Sequence, residues 1–161
     1  MNQQQYEKLL AWCRSTPQKE KILTRLCQYS PVSVIIIYAV MILYLIFKQD
    51  SRLRIVVLIP FIDLVIITLL RKILKKPRPQ EIYPIKPLIS HHLGDSCPSR
   101  HTASAFIIAF SCFYIYPPIG VLCFIIALYI TISRIIAGVH FIRDVLIGAI
   151  ISIVIGYLGF F

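Results

Sequence analysis

Long apolar stretches alternate with short polar ones along most of this chain. Five runs, residues 32–47, 55–70, 102–116, 119–137 and 145–161, are nearly free of charge, and each approaches the ~20 residues that carry a helix across a hydrocarbon core. The pattern changes ahead of them. Tyr6, Leu9, Leu10 and Cys13 recur at helical spacing, and after a Thr16 cap and Pro17 a second stripe runs through Ile22, Leu23, Leu26 and Cys27. This predicts two short amphipathic helices within residues 1–30, lying on the membrane surface, and one transmembrane domain over 31–161. The expected fold is therefore all-α, a polytopic bundle of five spans. No signal-peptide pattern precedes the first run, which is expected to direct insertion. Between the second and third runs, the loop 75–99 holds five of the ten prolines (Pro77, Pro79, Pro84, Pro87 and Pro98). That density predicts an ordered, extended cover rather than a helix.

Composition agrees with a membrane location, since 58% of the residues are hydrophobic and 12% aromatic. The net charge of +10 is informative mainly through its placement. In a five-span arrangement, the side carrying the N-terminus, the 75–99 loop and the junction near 138 holds fourteen of the 17 Lys and Arg residues. By the positive-inside rule that side is cytoplasmic, although a basic cluster that binds an anionic substrate is not a topology signal. No nucleic-acid partner is expected, and the oligomeric state is open. The five cysteines show no paired spacing and read as small buried hydrophobes. His91, His92, Asp95 and Cys97 with His101 fit no standard zinc spacing, so no metal is expected. Asp63 is expected to serve a polar partner within the bundle, and Gly148, Ser152 and Gly156 to allow close helix packing.

Three polar clusters interrupt the apolar runs: "RKILKKPRP" at 71–79, "CPSRH" at 97–101 and "SRIIAGVHFIRD" at 133–144. Alternation of the spans places all three on one membrane face. Guanidiniums beside a serine at a helix start suit a multiply charged oxyanion, most plausibly a phosphate. His140 and Asp144 are four apart, so the carboxylate can hold Nδ1 and leave Nε2 free as a nucleophile. His101 is then the candidate general acid for a leaving alkoxide.

These clusters resemble the motifs K-x6-R-P, P-S-G-H and S-R-x5-H-x3-D of the type 2 phosphatidic acid phosphatases, a family of lipid phosphate phosphatases. The resemblance implies attack by His140 to give a phosphohistidine, orientation by Asp144, and proton donation by His101. It also implies phosphate contacts from Arg71, Arg78, Ser99, Arg100 and Arg134, and no need for a metal or other cofactor. The expected substrate is a lipid phosphate monoester or pyrophosphate of the cell membrane, such as phosphatidate, phosphatidylglycerol phosphate or a polyprenyl pyrophosphate. Phosphotransfer to another acceptor, or binding of anionic lipid without catalysis, are the alternatives. Arg71 stands where the family has Lys, with Lys72 beside it, and Arg100 replaces a Gly. The family commonly has six spans, and its members acting on lipids usually face outward, against the charge count here.

Overall fold

The computed structural model describes residues 1–90 and 94–161. His91 and His92, weighed above as metal donors, lie outside the described residues. Among these residues the chain is all-helical: α1 (Gln3–Cys13), α2 (Pro17–Phe47), α3 (Leu53–Leu74), the single turn α4 (Pro79–Ile82), α5 (Arg100–Ile115), α6 (Pro117–Ile136) and α7 (Ile142–Phe160). The buried core runs along α5, where Ala105, Phe106, Ile107, Ala109 and Cys112 meet Val34, Val56, Cys123, Ala127, Ile130 and Ala149 of the surrounding helices. Apolar side chains such as Ile36, Val40, Leu58, Phe61, Ile125 and Ile150 point outward and are more than half exposed. A shell of that kind is stable only where the surroundings are apolar too.

Of the five expected spans, four form helices of spanning length and apolarity among the described residues, those built on α2, α3, α6 and α7. The third apolar run forms α5, whose 16 residues extend only about 24 Å. Nine of those residues are buried, because α2, α3, α6 and α7 all pack against it. A helix sheathed by others need not match the bilayer.

The two predicted surface helices are corrected. The Thr16 cap is present, with its hydroxyl accepting the Lys19 N–H at 3.3 Å, but the helix it starts continues for 31 residues through Pro31 into the first apolar run. Proline inside a helix removes one N–H and orphans the carbonyl four residues earlier. For Pro31 that carbonyl belongs to Cys27, and it accepts the Arg134 guanidinium of α6. Pro60 inside α3 is accommodated in the same way, since the Val56 carbonyl it frees accepts the Tyr38 hydroxyl of α2 at 2.9 Å. Both apparent helix breakers thus become links between helices. The apolar stripe of α1 faces protein instead of lipid: Tyr6, Leu10 and Cys13 are buried, and Leu10 and Cys13 join Cys27, Leu88, Ala137 and Val139 in one cluster.

Two contacts set the position of α7. A Cβ at Gly148 would lie 2.8 Å from the Ser99 carbonyl oxygen, so glycine there lets α7 reach the start of α5. One turn further on, the Ser152 hydroxyl donates to Asp63 of α3 at 2.8 Å, which gives the intramembrane carboxylate the polar partner expected of it.

Candidate active site

The ends of α3, α5, α6 and α7 meet under the 75–99 loop, and three backbone links hold the motifs together. The Ser99 N–H donates to the Asp144 carbonyl at 2.8 Å, the Ser96 N–H to the Lys76 carbonyl at 2.8 Å and the Leu88 N–H to the Ala137 carbonyl at 3.0 Å. Glu81 clamps the loop further, its carboxylate accepting from the Arg78 N–H at 2.8 Å and the Gly94 N–H at 2.9 Å. Gly138, at φ +74°, turns the chain between α6 and α7 so that His140 faces inward; glycine takes that backbone conformation without strain.

His140 is buried. Its Nε2 lies 3.4 Å from Nη1 of Arg78, and its Nδ1 lies 3.3 Å from the Ser96 hydroxyl and 3.8 Å from Oδ2 of Asp144. A guanidinium can only donate, so the Arg78 contact assigns the lone pair to Nε2 and the proton to Nδ1. Asp144 Oδ2 also accepts the Phe141 N–H at 3.0 Å, which caps the first turn of α7. From the α1 side, the Tyr6 hydroxyl donates to the His140 carbonyl at 3.0 Å.

Burial holds the His140 imidazole well below its usual range, at about 4, and the neighbouring Arg78 acts in the same direction while Asp144 opposes both. The ring is therefore neutral at physiological pH, as a nucleophile requires. Because this value lies below the ~6.5 of an unperturbed histidine, the associated stability is complete above about pH 6.5 and is lost as the pH falls through about 4. In ¹⁵N spectra of the resting protein, the imidazole signal that disappears in His140→Gln should still be neutral at pH 5.5. An imidazolium signal there would contradict the assignment.

The guanidiniums have unusual partners. Buried Arg78 donates to the carbonyls of Gly94 at 3.2 Å and Val139 at 3.0 Å, and Arg71 donates to the Pro98 carbonyl at 3.0 Å. Arg134, also buried, donates to Ser133 Oγ at 3.3 Å and to the carbonyl of Cys27. Among the described residues none of the three is ion-paired with a carboxylate. Cations withdrawn from water without counter-charges are costly, and an anionic ligand removes that cost.

The expected site residues fall into two neighbouring groups. Asp144 and Arg78 flank the His140 imidazole, the charge of Arg71 also acts on it, and the buried Ser99 is tied to Asp144 through its backbone and accepts the Thr102 hydroxyl at 3.2 Å. His101 and Arg134 instead line a polar cavity of about 350 Å³ with Thr24, Gln28, Leu88, Ile89 and Ser90. His101 also borders a second recess of about 200 Å³, walled by Arg100, Pro31, Val34, Ile35, Ala105 and Ile108. Arg100 is exposed, as is Lys72, whereas Arg71 turns inward. The motif pattern gave no sign of Ser96, Tyr6 or Glu81; the stripe through Tyr6 was read as facing the membrane surface, whereas Tyr6 is buried against protein.

An all-helical membrane bundle that gathers three polar helix-end clusters defines the class of the molecule. The sequence matches the PAP2 superfamily over residues 52–160, and the chain belongs to it. Its fold is similar to that of LpxE from Aquifex aeolicus, with a TM-score of 0.73 and 26% identity over 89% of this chain and 86% of that one. It is also similar to the transmembrane PAP2-type phosphatidylglycerolphosphate phosphatase from Bacillus subtilis, with a TM-score of 0.69 over 89% and 76% of the two chains; at 21% identity that likeness is one of fold. Among curated sequences, the bacitracin transport permease protein BcrC of Bacillus licheniformis is 38% identical over 69 residues, covering 43% of this chain and 34% of that protein. The chain thus spans about a third of the length of that relative.

Proposed function

We propose that this chain is a phosphatase of the cell membrane that removes phosphate from a lipid phosphate monoester or pyrophosphate through a phosphohistidine. Nε2 of His140 attacks phosphorus in line, the N–P bond forms, and the P–O bond to the lipid breaks with its electron pair on the leaving oxygen. His101 protonates that oxygen, then takes a proton from the water that cleaves the N–P bond and frees phosphate. Arg71, Arg78, Ser99, Arg100 and Arg134 bind the phosphoryl oxygens, with Arg134 leaving the Cys27 carbonyl to do so. Their charge does the work a metal would otherwise do, so the reaction needs none. The polar cavity beside His101 takes the headgroup and the adjoining apolar recess the start of the lipid chain. Phosphatidate, phosphatidylglycerol phosphate and polyprenyl pyrophosphate are the candidate substrates.

The observation that carries this reading is the buried imidazole, with one nitrogen toward a carboxylate and the other toward a guanidinium that, among the described residues, has no carboxylate partner. Purified protein in detergent should release phosphate from at least one of the three lipids, keep that activity in EDTA, and lose it to vanadate, which mimics the pentacoordinate phosphoryl group. Loss on chelation with recovery on adding a divalent ion would overturn the metal-free mechanism. Inactivity on all three lipids would overturn the substrate assignment.

A further inference from the structure

Ser96 lies outside the three motifs, three residues before Ser99, yet it is fully buried and sits between two catalytic groups. Its hydroxyl is 2.5 Å from Oδ2 of Asp144 and 3.3 Å from Nδ1 of His140, whereas that same Oδ2 is 3.8 Å from Nδ1. The last distance is too long for a hydrogen bond, and the first is in the range of a strong one to a carboxylate. A hydroxyl carries one proton and two lone pairs. The carboxylate cannot donate, so the Ser96 proton goes to Asp144 and a lone pair is left for the Nδ1 proton of His140.

We infer that Ser96 is a positioning residue that couples Asp144 to His140, completing an Asp–Ser–His chain in which the hydroxyl accepts the Nδ1 proton and, together with Arg78 at Nε2, holds the imidazole tautomer. The inference rests on the phosphohistidine reading for its catalytic consequence but not for its geometry. As Nε2 bonds to phosphorus, the ring keeps its Nδ1 proton and becomes cationic. The chain then presents the Asp144 charge to that cation across one hydroxyl, and no proton need cross it in the forward step. The loop is built to hold Ser96 at this point: its N–H is bonded to the Lys76 carbonyl within the first motif, the nearby Gly94 is fixed by Glu81 and Arg78, and Asp95 takes a left-handed conformation at φ +49°. The simpler role for Ser96 is to satisfy a lone pair of Asp144, and the two roles are distinguished by what happens to the imidazole.

Ser96→Ala and Ser96→Thr, in the full chain with ¹⁵N-labelled histidine, test the inference. In the unsubstituted protein the His140 signals should report a proton on Nδ1. Ser96→Ala should weaken that bias, leaving Arg78 alone to hold it, and show the other tautomer in a measurable fraction. Its burst of phosphoenzyme formation with nitrophenyl phosphate should slow by about 10- to 100-fold, by analogy with the loss when the group orienting a metal-bound histidine is removed, while KM and vanadate binding change by less than about threefold. Ser96→Thr, which keeps the hydroxyl, should recover most of the rate and the tautomer. An unchanged tautomer with a burst within about twofold in Ser96→Ala would overturn the inference. So would equal collapse of both variants with vanadate binding lost, which marks a purely structural serine. If the unsubstituted protein forms no phosphoenzyme, the phosphatase reading fails, and the tautomer comparison still decides whether Ser96 governs His140.

Discussion

His140→Ala should abolish phosphoenzyme formation with every substrate, whatever its leaving group, because it removes the nitrogen to which the proposed mechanism assigns the N–P bond. His101→Ala should behave differently. General acid help is worth about 10²–10⁴-fold, and a lipid alkoxide, a poor leaving group, needs it fully. A nitrophenolate leaves without protonation, so His101→Ala should recover much of the first-turnover burst on nitrophenyl phosphate while staying slow on lipid. The comparison belongs in the first turnover, since hydrolysis of the phosphohistidine can limit the steady state and mask the recovery. Equal loss of the burst in both variants, with vanadate still bound, would remove the acid assignment from His101; a burst that persists in His140→Ala would remove the nucleophile.

The second large effect is expected at Arg78. Its guanidinium spans the carbonyls of Gly94 and Val139 and reaches Nε2 of His140, so it both shapes the pocket and stands where a phosphoryl oxygen would come. Arg78→Lys keeps the charge but loses the planar fork that matches a phosphate. Losing one preorganised donor to a transition-state oxyanion costs about 10²–10³-fold, and vanadate binding and kcat/KM should fall together by that amount. A melting temperature near that of the unsubstituted protein would show that the loss is not one of folding. A change below about fivefold in both quantities would show that Arg78 is structural.

The nearness of the expected site residues was legible in part, because some of it is local: His140, in the turn before α7, comes within 3.8 Å of Asp144 in the first turn of that helix, and the three polar clusters mark helix ends. What escaped depends on contacts distant in sequence. Ser96 reaches Asp144 only through the path of a loop pinned by Lys76 and Glu81, and no periodicity encodes such a path. Pro31 resembles a break because its compensation, the Arg134 guanidinium, comes from 107 residues away at Cys27. The stripe of α1 was visible, but an apolar face looks the same whether lipid or protein will cover it; here it covers the turn that carries His140. The shortness of α5 was hidden for a related reason, since apolarity reports burial and not what does the burying.

The unbroken course of α2 bears on how the protein fits its bilayer. Its 31 residues extend about 46 Å, against roughly 30 Å of hydrocarbon, so roughly ten residues lie beyond the apolar slab unless the helix tilts. The polar excess is at the N-terminal end, where Thr24 and Gln28 form one wall of the cavity that holds His101 and Arg134. Hydrophobic mismatch is relieved by tilt or by local thinning of the membrane, and either response moves that wall relative to the phosphate plane of the lipids. Under the proposed phosphatase reading, acyl-chain length in the surrounding bilayer becomes a variable of turnover, acting through the height at which a headgroup meets the two histidines.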